Sequence, residues 1–153
     1  MIVTKLLSID PGEATGWSLW HYDAINPLQH LEHGTVLGGL HGFIPWFSGL
    51  DELAFDEVVI EEFILDGRTL LPNTMPLEVI GAVEMWCFER GHLLARQRNT
   101  FKAAAPDRRL KEWGLWWPGK GHDRDSARHA LAYMRSRKHM PTISAYWPDR
   151  RAV

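Results

Sequence analysis

Residues 6–17 read Leu-Leu-Ser-Ile-Asp-Pro-Gly-Glu-Ala-Thr-Gly-Trp, and this stretch says more about the fold than any other. A short apolar run ends in the carboxylate of Asp10, a Pro-Gly turn follows, and a second strand-like run begins at Gly16. The pattern predicts that Asp10 ends a strand while the chain reverses beside it. The carboxylate then either bonds to the backbone of its own turn or holds a cation. The second alternative would make this protein a metal enzyme.

Composition indicates an ordinary globular domain. The chain has 153 residues, of which 45% are hydrophobic and 24% charged, and no apolar run approaches the roughly 20 residues of a membrane span. The N-terminus lacks the order of a signal peptide and resembles a strand, so a cytoplasmic location is expected. The single cysteine, Cys87, excludes an internal disulfide and a cysteine-based zinc cluster, and its apolar neighbours predict a buried, inert thiol.

Charge is divided unevenly along the chain, although the formal net charge is only −2. Residues 1–89 hold 2 of the 17 Lys and Arg and 14 of the 19 Asp and Glu, whereas residues 90–153 hold 15 and 5. This asymmetry favours a cluster of carboxylates beside a phosphate-binding face. The alternative is that the two halves simply neutralise each other across the fold.

The order of predicted elements defines a fold class. Strands are expected at about Val3–Ile9, Gly16–His21, Leu31–Leu37, Val58–Ile60 and His92–Gln97. Helices are expected at about Phe43–Ala54, Pro76–Arg90 and Asp123–Lys138, with short helical pieces at Phe101–Ala105 and Asp107–Trp113. This order resembles the RNase H-like α/β fold, in which a five-stranded mixed sheet of three antiparallel strands followed by parallel strands is flanked by helices. We predict a domain over residues 1–138 and a C-terminal tail over residues 139–153.

Two apolar strands each end in a carboxylate, Asp10 and Glu61. If the strands are neighbours, the carboxylates meet at one rim of the sheet, where both remain ionised most readily when a cation lies between them. Mg²⁺ suits such a site because it takes oxygen ligands. Glu61 is alternatively a solvated strand end, and Glu62 points to the opposite face.

A third polar cluster opens the last long helix. Asp125 and His129 are four residues apart and therefore share a helical face, while Ala127, Ala130, Leu131 and Met134 gather on the side expected to pack on the sheet. Each acidic residue also has a structural interpretation. Asp123 is a good N-cap, and Asp125 suits the positive end of the helix dipole.

These three clusters together resemble the RuvC family of Holliday-junction resolvases, in a short form of the kind that phages encode. The first motif is Ser-Ile-Asp-Pro-Gly at residues 8–12 with Thr-Gly at residues 15–16, and the second is Val-Ile-Glu-Glu-Phe at residues 59–63. The third, Arg-His-Ala-Leu-Ala at residues 128–132, is similar to the family's Asp-Ala-Leu-Ala helix.

The third motif departs from the family pattern. The family places two ligands three residues apart, and the corresponding positions here are Ser126 and His129. Because a serine is a poor ligand, the role is expected to move to Asp125, with Asp123 or His122 as alternatives.

The resemblance implies a homodimer that binds branched DNA and nicks two strands of a four-way junction symmetrically, in the cytoplasm of a bacterial host. It also implies an Mg²⁺-dependent endodeoxyribonuclease with two ions per site, in which Mn²⁺ can substitute. We expect Asp10 to bridge both ions, Glu61 to bind one, and Asp125 with His129 to complete the other. His129 is alternatively a proton donor or acceptor.

Basic residues in and near the C-terminal half are candidates for phosphate contacts, or else ordinary surface charges. They are Arg68, Lys102, Lys120, Arg124 and Arg128. The Trp116-Trp117 pair is expected either to pack the last long helix or to stack on unpaired bases, and the loop Phe63–Leu71 is a second place for an apolar wedge.

Other functions remain open at this level. The chain is alternatively an RNase H-like nuclease for flaps, forks or RNA–DNA hybrids, or a junction-binding protein that has lost catalysis. A phosphate-binding ATPase domain is disfavoured because the chain is short and a second phosphate loop is absent.

Overall fold

A five-stranded sheet is the centre of the computed structural model, which describes residues 1–51 and 53–150. The strands are β1 (Thr4–Asp10), β2 (Ala14–Tyr22), β3 (Gln29–Leu37), β4 (Glu57–Glu62) and β5 (Leu93–Arg98). Their order across the sheet is β3-β2-β1-β4-β5. The pairs β1–β2 and β2–β3 are antiparallel, whereas β1–β4 and β4–β5 are parallel. The predicted mixed sheet is therefore confirmed.

Helices cover both faces of this sheet. They are α1 (Gly39–Ser48), α2 (Met75–Arg90), α3 (Asp107–Glu112), α4 (His122–Ser136) and α5 (Met140–Tyr146), with 3-10 helices at Asn99–Ala104 and Pro148–Arg150. The helix predicted over Phe43–Ala54 begins and ends earlier than expected. Gly38 and Gly39 have φ angles of 92° and 58°, and this backbone turns β3 directly into the helix.

The two faces have separate apolar cores. α4 packs over one face, where Leu6, Trp20 and Val59 of the sheet meet the buried residues that the sequence predicted on its inner side. α1 and α2 pack over the other face, where Cys87 is buried and its burial raises the pKa of the thiol to about 11. This agrees with the predicted inert cysteine.

The segment after residue 138, predicted as a tail, includes a helix that packs on the α4 side. Thr142 is buried, and its hydroxyl accepts a hydrogen bond of 2.9 Å from the backbone N–H of Leu28. The hydroxyl of Tyr146 donates to the carbonyl of Leu28 at 2.8 Å. Trp147 belongs to the apolar core, and its indole N–H donates to the carbonyl of Ala104 at 3.1 Å.

Candidate active site

The ends of β1 and β4 bring two carboxylates to one rim. Ile9 pairs with Ile60 in the parallel register, so the next residues on each strand, Asp10 and Glu61, lie side by side. On its other side Asp10 pairs with Gly16 of β2. The side chains of Asp10 and Glu61 are 15% and 17% exposed, and both are therefore largely withdrawn from water.

Gly16 allows α4 to approach this rim closely. A Cβ atom built on Gly16 would lie 1.9 Å from the carbonyl oxygen of His122 and 2.5 Å from the backbone nitrogen of Asp123. Only glycine therefore permits the first turn of α4 to rest on β2, where it carries Asp125 towards the strand ends.

His129 is fully buried and contacts Glu61 directly. Its Nε2 lies 2.9 Å from Glu61 Oε2, while its Nδ1 lies 2.8 Å from the amide Nε2 of Gln97. Because an amide nitrogen can only donate, Nδ1 accepts in this arrangement and Nε2–H donates to the carboxylate. His129 thus orients Glu61 in this state. Its action as a metal ligand through Nε2 requires the Gln97 amide to turn and accept from Nδ1–H.

Lys102 lies between two of the carboxylates. Its Nζ is 3.2 Å from Glu61 Oε2 and 3.1 Å from Asp125 Oδ2. The second oxygen of Asp125 accepts from Arg128, whose guanidinium also contacts Asp107 and the carbonyl of Ala105. The sequence assigned Lys102 to phosphate contacts, whereas the structure places it inside the carboxylate cluster.

The cluster strongly perturbs the protonation of its members. Burial and the neighbouring charges of Glu61 and Asp125 raise the pKa of Asp10 from its ordinary value of 3.8 to about 8, although Lys102 opposes the shift. Burial also favours the neutral form of Glu61, but hydrogen bonds and charge from His129 and Lys102 outweigh it and lower its pKa. In the absence of a metal the rim therefore favours the neutral form of Asp10 beside an ionised Glu61.

The remaining candidates in the third cluster point elsewhere. The hydroxyl of Ser126 is buried and donates to the carbonyl of Asp123 at 2.6 Å, in a network with Ser18. The carboxylate of Asp123 faces β3, where Oδ2 lies 3.0 Å from His33 Nδ1. His122 Nδ1 lies 3.8 Å from Asp10 Oδ2, so this imidazole lies at the edge of the cluster.

No protein-family model matches the sequence, and no curated protein matches it either. Solved structures do match the fold. Thermus thermophilus RuvC in complex with a Holliday junction substrate is 16% identical, with 90% of this chain and 97% of that chain covered and a TM-score of 0.67. The chain has the fold of the RuvC resolvases.

Two further resolvases share this RuvC fold. The fowlpox virus resolvase, in complex with Holliday junction DNA, is 14% identical over 86% of this chain and 99% of that chain, with a TM-score of 0.64. The yeast mitochondrial Holliday junction resolvase is 14% identical over 94% of this chain and 85% of that chain, with a TM-score of 0.57. At such low identities the likeness establishes the fold and leaves the activity to be argued from the site.

Around this RuvC-like core, the predicted phosphate-binding residues have different surroundings. Arg68 lies on the exposed loop after β4, where its backbone N–H donates to Asp66 at 2.9 Å, and Lys120 is exposed on the loop before α4. Arg124 donates to the carbonyl of Trp117 and lies 4.3 Å from the centroid of the Trp116 ring. The side chains of Arg124 and Arg128 are therefore already engaged within the protein.

The tryptophan pair is divided between two roles. Trp117 stacks on His33 with ring centroids 3.7 Å apart and packs against the α4-side core, which agrees with the packing alternative. Trp116 is more exposed and lies between the cations of Lys111 and Arg124. In the loop after Glu61, Leu70 and Leu71 are 97% and 91% exposed, so this loop keeps the apolar surface expected of a wedge.

The donor atoms at this rim determine whether it can hold a metal ion. Within residues 1–51 and 53–150, no three His, Cys, Asp or Glu side chains already converge as a metal site. The oxygen donors of Asp10, Glu61 and Asp125 are nevertheless those that Mg²⁺ prefers, and a bound cation would offset the burial and the like charges that raise the pKa of Asp10. Asp10, Glu61 and Asp125 therefore fit a hard divalent cation once the ammonium group of Lys102 moves away from the carboxylates.

Sequence reasoning missed two features of this site. Gln97 had no signal, because its position at the end of β5 is decided by pairing with β4. The position of Lys102 between two carboxylates had no sequence signal either, because its partners Asp125 and Glu61 lie 23 and 41 positions away in the chain. Gly16 was visible in the first motif, but its contact with α4 was not.

Proposed function

We propose that this chain is a metal-dependent nuclease that hydrolyses the phosphodiester backbone of branched DNA, with the Holliday junction as the preferred substrate. The observation that carries the proposal is the rim where Asp10 lies beside Glu61 and Lys102 bridges Glu61 to Asp125. Burial and repulsion among these carboxylates raise the pKa of Asp10 to about 8. Such a perturbed carboxylate cluster at the ends of parallel strands is typical of a functional site.

The carboxylates of Asp10, Glu61 and Asp125 would hold Mg²⁺, and Mn²⁺ would substitute. The bound metal would supply an activated water and neutralise charge on the phosphate. His129 would hold Glu61 in position through the 2.9 Å contact, and as a second role would ligate the metal after rotation of the Gln97 amide. Two ions per site remain the expectation.

Two observations support a branched DNA substrate. The solved structures with the same fold include two resolvases in complex with Holliday junction DNA. The basic residues of this chain are concentrated in its C-terminal half, which also supplies α4 and Lys102 to the rim. Phosphate contacts of this kind give affinity that depends strongly on salt.

The test is cleavage of labelled four-way junction, flap, fork, duplex and RNA–DNA hybrid in Mg²⁺, Mn²⁺ or EDTA. We expect paired symmetric nicks in the junction that require the metal. Asp10→Asn and Glu61→Gln should abolish them, while the matched change Glu62→Gln, on the neighbouring residue of β4, should leave them. If none of the substrates is cut in a metal-dependent way, the nuclease proposal is refuted. If only flaps or hybrids are cut, the protein is a nuclease for those substrates and not for the junction.

One observation favours a second candidate, a junction-binding protein without catalysis. Lys102 already bridges Glu61 and Asp125, and a permanent bridge would keep a metal out. Calorimetric titration of the protein with Mn²⁺ separates the two candidates. Metal binding that disappears in Asp10→Asn supports the nuclease, whereas tight junction binding without metal uptake supports the second candidate.

A homodimer is also part of the proposal. Met85 and Phe88 are three residues apart on α2, and they are 63% and 87% exposed. This apolar face would join two copies. Sedimentation should show a dimer that Phe88→Glu converts to a monomer, and a wild-type monomer at micromolar concentration would contradict this part. The cytoplasmic location and the phage origin stay predictions; no helix in the described part of the chain is long and apolar enough to cross a membrane.

A further inference from the structure

A groove lined by arginines lies beside the candidate active site. Its volume is about 740 Å³, and its lining includes Phe101, Arg108, Arg109, Ala132, Arg135 and Trp147. Apart from Ala132, the last residue of the third motif, none of these residues belongs to the sequence motifs or to the phosphate contacts expected from the sequence. The small side chain of Ala132 leaves the space open between the arginines.

The groove and the rim of carboxylates share two elements, the 3-10 helix Asn99–Ala104 and α4. The 3-10 helix Asn99–Ala104 presents Lys102 to the carboxylates and the adjacent Phe101 to the groove. Along α4, Asp125 stands at the rim and Arg135 stands in the groove. These two positions are ten residues apart, which is about 15 Å of helix.

The groove carries positive charge that the protein leaves largely uncompensated. Arg108 forms no ion pair with any residue in the described part of the chain, and Arg135 rests on the Trp147 ring at 5.3 Å from its centroid. Within the described part of the chain, Arg109 is the only one of these three arginines that pairs with acidic residues. Its partners are Glu112 at 3.5 Å and Asp149 at 3.4 Å. Guanidinium groups in such a setting suit phosphate oxygens, because their planar donors can form two parallel hydrogen bonds to them.

We propose that this groove binds the sugar-phosphate backbone of the DNA arm that leaves the active site. The inference rests on the proposed nuclease function, since a strand whose phosphodiester lies at Asp10 and Glu61 must continue over the neighbouring surface. Arg108 and Arg135 contact phosphates of that arm, and the apolar wall at Phe101 contacts its sugars. Because the groove shares the 3-10 helix and α4 with the rim, DNA bound at the rim can reach it, and this favours DNA over an acidic peptide.

The test is a salt series of binding to four-way junction by the double variant Arg108→Gln/Arg135→Gln. The measurements use an Asp10→Asn background, so that no substrate is cut during the titration. Lys138→Gln is the matched control, because it also removes an exposed cation near the end of α4 but outside the groove. Loss of two phosphate contacts should lower the magnitude of the log–log salt slope by about 1.8 and weaken binding about tenfold or more at 0.1 M salt.

The possible outcomes are distinct. A double variant with the affinity and salt slope of the Lys138→Gln control would overturn the groove proposal. An acidic peptide such as oligoglutamate that binds wild type but not the double variant, with DNA affinity unchanged, would overturn it too. Restoration of the slope by Arg108→Lys/Arg135→Lys, together with an unchanged melting temperature, would exclude a folding defect as the cause.

Failure of the groove and failure of the nuclease proposal are separable. If wild type shows no metal-dependent cleavage of any substrate, the nuclease proposal fails whatever the groove variant does. If wild type cuts the junction while the groove variant binds it normally, only the groove proposal fails.

Discussion

Replacement of Gly16 by alanine is the most direct test of how this fold builds its site. The new Cβ would lie 1.9 Å from the carbonyl oxygen and 2.0 Å from the carbonyl carbon of His122. Both contacts are with backbone, so rotation of a side chain cannot relieve them. The first turn of α4 must therefore move away from β2 by more than 1 Å to reach an ordinary van der Waals distance of about 3.5 Å.

That movement has two measurable consequences. Overpacking of this kind costs about 1–3 kcal/mol in the free energy of unfolding, because α4 covers the core on its face of the sheet. It also displaces Asp125, three residues into the helix, relative to Asp10 and Glu61. A shift of about 1 Å at a catalytic group lowers the rate about 100-fold.

Gly81 provides the matched control for this change. It lies within α2, and a Cβ built there meets nothing within 4 Å. Gly81→Ala should therefore stabilise the protein by about 0.5–1 kcal/mol, because alanine favours the helix. Urea denaturation measures both variants, and junction cleavage measures the rim. If Gly16→Ala matched Gly81→Ala in stability and cleaved at the wild-type rate, the close approach of α4 would not be what positions Asp125.

Three further predictions concern charge and packing. Lys102→Met removes the cation between Glu61 and Asp125, so the melting temperature of the variant should be lower than that of wild type in EDTA. Addition of Mg²⁺ should raise the melting temperature of the variant by more than it raises that of wild type. Equal increases in the two proteins would contradict the assigned role of Lys102. The pKa of Asp10 is raised from 3.8 to about 8 in the folded state, so the folded state binds a proton that the unfolded state releases, and the metal-free protein should gain stability as pH falls from about 8 towards 4. In Asp10→Asn this part of the pH dependence of stability should vanish. If it persisted, the proton would belong to another group. Trp147→Ala should cost about 3–5 kcal/mol because the ring is buried in the core, and a loss below 1 kcal/mol would show that the segment after residue 138 adds nothing to the fold.

The sheet and the first two carboxylates followed from the sequence because they depend on local patterns. Apolar or alternating segments of strand length indicated the strands, and the parallel register of Ile9 with Ile60 brings Asp10 beside Glu61. Alternation along β4 distinguishes Glu61 from Glu62 without any tertiary information. The strands themselves are determined over a few residues, where sequence patterns are strongest, whereas the pairing of β1 with β4 joins distant parts of the chain and was only an expectation.

The third cluster was ambiguous because long-range contacts decide it. Ser126 turns towards the sheet, where its hydroxyl bonds Ser18 and its carbonyl accepts from Ser8 at 2.6 Å. These partners are 108 and 118 residues away, so helical periodicity alone cannot distinguish Ser126 from its neighbour Asp125. The packing of Asp123 against His33 of β3 is of the same kind.

Charge at the rim links the contacts of Lys102 to the number of metal ions. Asp10, Glu61 and Asp125 together carry three negative charges when ionised. Lys102, which lies between Glu61 and Asp125, contributes one positive charge. Arg128 also pairs with Asp125, so one divalent cation already makes the rim slightly positive, and a second ion would be repelled by Lys102. Two ions at this rim therefore require Lys102 to withdraw, and the scissile phosphate is the group that would draw it out. A Mn²⁺ stoichiometry of one per wild-type site and two per Lys102→Met site would establish this competition, and equal stoichiometries would refute it.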